Sequence, residues 1–365
     1  LNDYADILEM DNADIWNQKV REIMTIEGMT FALEPAFSGI ELVNQGGVCF
    51  FNKSLLEREG VWDNYNLYEM QRNKTWNWDM MDEIGNKVTK DTNGDGTLDQ
   101  FGMIYKTTIT HMAFNASNSD GGSDWGWYGV DSDGVPRFHG REPERLNVLK
   151  FFHKAGGSGK GWLNGTDFGQ DYDMAPINFF AEGKTAFLID HGGALATIKE
   201  TGMQDTVGVV AVPMGPDNTT NDYVLARVYY EAWTMPRNAE DMDSVALIMK
   251  EFCKPIFTKE EAEIGIEAFL ADLIGDEEEI IETYKLLGDP VRAAYNKETP
   301  FIATWAGPIA SYHGSFHNAI IQTGFLPEQL NDMYADQIQT TINDYWSKVL
   351  EGANKLKEKR RQQGL

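Results

Sequence analysis

The sequence predicts an α/β protein of two lobes built on mainly parallel sheets. Three observations carry that expectation. Short apolar runs alternate with helical patterns from residue 47 to residue 212, the order expected of βα units. From residue 241 onward the pattern is mostly helical. No repeats and no low-complexity linker divide the chain, so two lobes would be joined by several crossings and not by one tether.

The elements follow in order. Gly47-Val48-Cys49-Phe50-Phe51 is an apolar run that ends at Asn52-Lys53. A short helix over 53–59 comes next, and Gly60 stops it by taking the left-handed conformation at no steric cost. Thr75 stands where an N-cap would begin a helix over 76–89. There Trp76, Met80, Ile84 and Val88 recur at helical spacing as a core stripe. Residues 101–105 read as a strand, and Pro143 suits the first turn of a helix carrying Leu146, Leu149 and Phe152. Pro176 starts a short helix that ends near Gly183, followed by a strand at 185–189 and a helix at 194–200. The β-branched run at 207–212, closed by Pro213, reads as a buried strand. Residues 223–235 read as one or two more strands with Pro236 as the stop. Helices at 241–253, 258–272, 276–287 and 328–358 complete the chain.

At 365 residues the chain can hold two cores, and 42% hydrophobic with 12% aromatic residues can fill them and still leave rings for a binding surface. No apolar run approaches the roughly 20 residues that span a bilayer. A net charge of −26 excludes nucleic acid and anionic membrane surfaces as partners, because both would repel it. The one basic cluster, Lys355 to Arg361, fits the last turns of a final helix, where cations suit the helix dipole. Cys49 and Cys253 stand in no metal-ligand spacing and read as buried thiols. The chain opens Leu1-Asn2-Asp3-Tyr4 with no initiator Met, basic n-region or apolar h-region.

Several motifs invite chemistry. Asp91, Asn93, Asp95, Thr97 and Asp99 occupy the oxygen-donor positions of a calcium loop, with Gly96 at the turn; Gly102 stands where the bidentate Glu would be. The competing reading is a polar Asx-rich turn. His313 and His317 share the i, i+4 spacing of a helical metal pair but lack a third ligand, so polar cleft-lining side chains are the simpler reading. The glycine-rich run at 156–161 fails as a phosphate loop, because Lys160 is followed by Gly and the segment follows a helix. Fifty-seven acidic residues could supply a carboxylate pair, which keeps a carbohydrate hydrolase as the alternative reading. A calcium-dependent adhesion protein is a minor third. Aromatics group in polar loops at Trp125, Trp127 and Tyr128, at Tyr229, Tyr230 and Trp233, and at Trp305 and Tyr312. Such groupings suit sugar rings, whose C–H faces stack on aromatic faces while their hydroxyls bond to polar neighbours.

The order of elements from 47 to 102 resembles the extracellular solute-binding proteins of bacterial ABC importers, the family that includes maltose-binding protein. Two later segments are similar to that family as well: Phe179-Phe180-Ala181-Glu182-Gly183-Lys184-Thr185-Ala186, and the strand from Val207 that ends at Pro213. The resemblance implies a periplasmic-binding-protein-like fold with a hinge, an interlobe cleft and an N-terminal lobe that is incomplete here, about a quarter of a mature chain lying upstream. Hinge crossings are expected near 42–47, 224–228 and 292–300. One lobe would comprise 1–44 with 229–295, the other 48–224 with 301–365. It places Glu34, Phe37, His111, Asn115, Asn118, Asp190, His191, Trp233, Trp305, Tyr312 and His313 in the cleft. Family members that bind sugars commonly carry a Trp just after the GK-x-A strand; Asp190-His191-Gly192-Gly193 stands there instead, which points to an oligosaccharide of another shape or a non-sugar solute. The implied function is that of a monomeric, non-enzymatic, extracytoplasmic substrate-binding component. It would capture a small solute, foremost a sugar or oligosaccharide, by lobe closure and pass it to ABC permease subunits. The implied location is the cell surface, through a lipid-modified Cys outside this sequence, or the periplasm. No cofactor is required, and a structural Ca²⁺ is the one metal expected.

Overall fold

The computed structural model describes residues 1–119, 125–132, 134–156, 160–164, 174–227, 231–236, 238–256, 258–274, 278–295 and 325–364. The chain opens with α1 (Ala5–Leu8), α2 (Gln18–Ile23), the two-residue strands β1 (Thr25–Ile26) and β2 (Met29–Thr30), and α3 (Gly39–Asn44). The central stretch supplies β3 (Gly47–Asn52), α4 (Lys53–Arg58), α5 (Leu67–Arg72), α6 (Trp78–Val88), β4 (Phe101–Tyr105), α7 (Thr107–Ser117), β5 (Tyr128–Val130) and β6 (Pro136–Phe138). It continues with α8 (Pro143–Ala155), β7 (Trp162–Asn164), α9 (Ala175–Ala181), β8 (Thr185–His191), α10 (Ala194–Glu200) and β9 (Val207–Ala211). After β10 (Leu225–Ala226) come α11 (Met242–Cys253), α12 (Lys259–Ile274), α13 (Glu278–Leu287), β11 (Ala293–Ala294) and α14 (Pro327–Gln362).

The main sheet has the order β7-β4-β8-β3-β9. Every residue of β3 and β4 is buried, so helices cover both faces. The sheet is mixed, which corrects the mainly parallel expectation. β4 runs parallel to β7 and β8, whereas β3 runs antiparallel to β8 and β9. The reason is entry point: β3 enters the sheet where β8 leaves it, with Gly47 opposite His191. An aromatic cluster fills one side. Trp78 stacks on Phe151 with centroids 4.8 Å apart, and Phe114 meets Phe152 edge-on at 5.1 Å.

Helix starts follow side-chain capping. The Asn52 side chain accepts from Leu55 N at 2.8 Å and caps α4, and Gly60 closes the turn after it at φ 66°. The start of α6 differs from the expectation at Thr75. Asn77 is the cap, accepting from Met80 N at 3.1 Å. Trp76 is drawn out of the helix into the core, where Nε1 donates to Ala211 O at 2.8 Å. The buried stripe of α6 therefore contains Trp78, Met81, Ile84 and Val88. Of 223–235, only β10 and isolated pairings at Arg227 and Trp233 are extended partners; 228–230 lie outside the described residues.

A second, smaller core joins the first 36 residues to α11. Leu8, Ile15, Trp16 and Leu33 pack with Ala246, Met249 and Cys253. Leu33 pairs with Trp233, so the chain returns to this body after β10. Between the two bodies three segments run side by side: Gly46 pairs with Arg227, and β10 pairs in parallel with β11. Helix α13 lies inside 229–295 but packs on the main sheet, burying Ile280, Tyr284 and Leu287. Gln71 Nε2 donates to Thr283 Oγ1 at 2.9 Å and Tyr284 OH to Gly192 O at 2.9 Å. The apolar face of α13 covers the β9 edge, so this part of 229–295 belongs with the sheet and not with the first body. Helix α14, of 36 residues, packs Leu330, Ile338, Ile342 and Trp346 on Trp127 and Leu149. Its far end reaches the first body, where Lys357 pairs with Glu27 at 2.9 Å and Arg360 with Asp3.

Candidate functional site

The hinge is organised around a buried cation. Arg227 follows β10, is fully buried, and donates to Glu34 Oε1 at 2.9 Å. Its guanidinium lies between the Phe37 and Tyr295 rings, 5.6 and 5.4 Å from their centroids, and also bonds to Gln45. Glu34 accepts further from Asn17 Nδ2 at 3.1 Å and Glu231 N at 3.0 Å, while Asn17 donates to Tyr295 OH at 2.6 Å. Burial pushes the Glu34 carboxyl above its ordinary value; Arg227 and the other donors only partly offset that. Glu34, Arg227, Gln45 and Tyr295 thus tie all three crossings to the first body through one polar cluster.

Beside this cluster lies a cavity of about 450 Å³. Phe37, Ile40 and Glu41 form one wall; Glu231 and Trp233, returning from the hinge, form another, and Phe252 closes the side. Trp233 is 38% exposed and lies 5.2 Å from the Phe252 ring, so an apolar surface remains open to a solute. Glu41 is exposed on the cavity wall, and desolvation of its carboxyl, followed by the nearby Glu231 charge, raises its pKa. A second cavity, of about 520 Å³, lies on the outer side of α6 and α8. Its three lysines are already paired: Lys74 with Asp222, Lys150 with Glu328 at 2.8 Å and Lys154 with Asp82 at 2.6 Å.

No family model matches the chain, and no curated relative matches it either. Solved structures do. An ABC substrate-binding protein of Listeria monocytogenes in complex with cycloalternan aligns at TM-score 0.60 and 16% identity, over 93% of this chain and 79% of that one. The GacH receptor of Streptomyces glaucescens, solved unliganded and with acarbose, aligns at 0.59 and 12%, over 92% and 77%. UgpB of Mycobacterium tuberculosis in complex with glycerophosphocholine aligns at 0.58 and 15%, over 94% and 78%. The chain has the fold of ABC solute-binding proteins.

In that solute-binding fold, the cleft residues expected from the sequence separate into groups. Phe37 and Trp233 meet at the cavity beside the hinge. Glu34 is adjacent but faces inward to Arg227. Asp190 and His191 end β8 at the hinge side of the sheet. Asp190 is fully buried, 2.8 Å from Lys106 Nζ, and His191 Nδ1 lies 3.1 Å from Asn44 O. His111 and Asn115 are placed elsewhere: both are fully buried on α7, with the His111 ring edge-on to Phe152 at 4.3 Å. Asn118 pins the end of α7, donating to Glu144 O and Asp217 Oδ2 at 2.9 Å each. Trp305, Tyr312 and His313 lie outside the described residues, as do Tyr229, Tyr230 and His317. Trp125 and Trp127 are buried and serve packing. Sequence reasoning missed Arg227, Gln45, Tyr295, Glu41 and Glu231. The one available signal was Arg227 itself, a cation ending the apolar run Tyr223-Val224-Leu225-Ala226.

The Asp/Asn loop of this solute-binding fold is a set of nested turns. Asp91 Oδ1 accepts from Asn93 N and Gly94 N at 3.2 and 2.7 Å, Oδ2 from Gly96 N at 2.7 Å. Asn93 and Asp95 accept from the amides two residues on, and the amide bonds that Asp91 accepts, from Gly96 foremost, hold its carboxyl below its usual range. Among the described residues no group of three or more His, Cys, Asp or Glu side chains gathers that could hold a metal ion, and no helix is long and apolar enough to cross a membrane.

Proposed function

We propose that this chain is the substrate-binding component of an ABC importer, taking a small sugar- or polyol-like solute and passing it unchanged to a membrane permease. The observation that carries this reading is the cavity where Phe37 and Trp233 meet, directly beside three crossings that run side by side. A solute seated there lies against 35–41 and 231–265, beside the crossings, and one that also contacts the facing lobe on closure would favour the closed arrangement. Aromatic walls with carboxylates at the rim suit a hydroxylated solute. The neighbours add support from outside, since their structures hold cycloalternan, acarbose, glycerophosphocholine, D-mannitol and ribitol.

The finer parts of the reading are an extracytoplasmic location, a lipid anchor or periplasmic residence, and a monomeric working state. A structural calcium ion at 91–99 is a separate proposal resting on donor spacing. The test is a thermal-shift panel of saccharides, polyols and amines, with recovered solute checked for breakdown. Ligand that binds the folded state alone raises stability with the logarithm of its concentration over Kd. A shift with intact solute supports capture; cleavage products would move the hydrolase alternative forward. Calcium and EGTA arms of the same panel decide the metal: a melt that neither changes ends that proposal.

A further inference from the structure

The cavity beside the hinge carries a charge that a neutral solute would leave uncompensated. Four charged side chains line it: Glu41, Glu231, Glu261 and Lys254. Lys254 is committed to Glu251, with Nζ 2.7 and 2.8 Å from its two oxygens. Glu261 is committed to its own helix start, accepting from Thr258 N at 2.8 Å and Thr258 Oγ1 at 2.9 Å. Neither the Glu41 nor the Glu231 carboxylate has an ion-pair or hydrogen-bond partner among the described residues. The nearest buried cation, Arg227, is already held by Glu34. Desolvation first, and then the Glu231 charge, raise the pKa of Glu41. Two like charges therefore face one cavity whose walls are the Phe37, Trp233 and Phe252 rings.

A neutral polyol can donate hydroxyl hydrogen bonds to the two carboxylates in place of water but supplies no opposing charge. A cation supplies that charge, because it pairs with the carboxylates and its field is favoured over aromatic faces. Resting on the solute-capture reading above, we propose that the solute bears a cationic nitrogen, a protonated amine or quaternary ammonium, held between Glu41 and Glu231 with its body on Phe37 and Trp233. An amino sugar and a choline-type head group share this chemistry.

The test is isothermal titration calorimetry on the full chain at neutral pH with two matched comparisons. Glucosamine is set against glucose, and choline against mannitol. The expected result is tighter binding of at least one cation than of its neutral counterpart, weakened by added salt as a charge pairing should be. The double variant Glu41→Gln with Glu231→Gln should lose roughly tenfold or more in affinity for the cation, which two removed charge contacts justify. Glu41→Gln alone, with a melt recorded to check folding, guards against a double variant that fails to fold. Neither cation binding more tightly than its neutral counterpart, or cation affinity unchanged in both variants, overturns the cation while leaving solute capture standing. Failure of both cations to bind also overturns it; solute capture then stands or falls separately on the neutral members of the wider panel.

Discussion

At the scale of single residues, Arg227 is the most consequential side chain in the hinge. It is fully buried, and Glu34, Gln45 and the two flanking rings are among the groups that hold its charge. Arg227→Ala would leave Glu34 buried without its counter-charge, and the expected loss is about 3–5 kcal/mol in chemical denaturation. Arg227→Lys should recover only part of this, since a compact ammonium lacks the planar guanidinium face that packs against the two rings. A loss below about 1 kcal/mol would show that the cluster is not the keystone described. A second residue predicts pH dependence. Asp205 accepts from Arg58 Nη1 and Nη2 at 2.7 and 3.0 Å and from Asn52 Nδ2 at 2.8 Å, and the Arg58 bonds hold its carboxyl below the usual range. The folded pKa being depressed, its stabilisation is present above the unfolded value of about 3.9 and is lost as pH falls through the folded one. Because Arg58 is half exposed, the contribution is about 1 kcal/mol or less. In melts recorded from pH 6 down to pH 2, Asp205→Asn should lower the plateau and flatten the acid limb; an unchanged acid limb would contradict this. Little of either site could be read from sequence, because a charge pair is made by residues 193 positions apart in one case and 147 in the other.

At the scale of elements, most of the pattern was legible. The segments read as helices at 194–200, 241–253 and 276–287 correspond to α10, α11 and α13, and the run at 207–212 to β9. These succeeded because helical periodicity or continuous β-branching, together with a nearby cap or proline, marks them locally. The start of α6 was not legible, since Thr75, Asn77 and Asp79 are all plausible caps and only the burial of Trp76 selects among them. The choice is measurable. Asn77→Ala should cost about 1 kcal/mol, as loss of an N-cap does, while Thr75→Ala should cost well under half of that. Equal effects from the two substitutions would restore the earlier boundary. Strand direction was hidden for a related reason. Every residue of β3 is buried, so no alternation distinguishes its faces or signals which way its neighbours run.

At the scale of the whole molecule, the expected arrangement of two lobes about a hinge matches the fold, and its candidate site was partly legible. Phe37 and Trp233, nearly 200 positions apart, do meet, whereas His111 and Asn115 sit behind the sheet. The family resemblance assigned those two to the cleft, but they lie on α7 with their side chains buried, and nothing local in the sequence says whether they meet solvent or core. Closure itself is open to measurement: small-angle scattering should show a smaller radius of gyration when a captured solute is added. An unchanged radius at saturating solute would argue for a rigid site.

Helix α14 sets a condition on any such movement. It is packed along the sheet-bearing lobe, and its far end also meets the first body, through the Lys357–Glu27 and Arg360–Asp3 pairs and through Ile26 packed on its apolar cluster. At about 1.5 Å per residue it is a rod of roughly 54 Å, long enough to turn a small rotation at the hinge into a large sweep at its tip. The ionic share of that contact is expected to be firm in dilute medium, where charges act over about 30 Å, and slack at high salt, where their reach shrinks to about 3 Å.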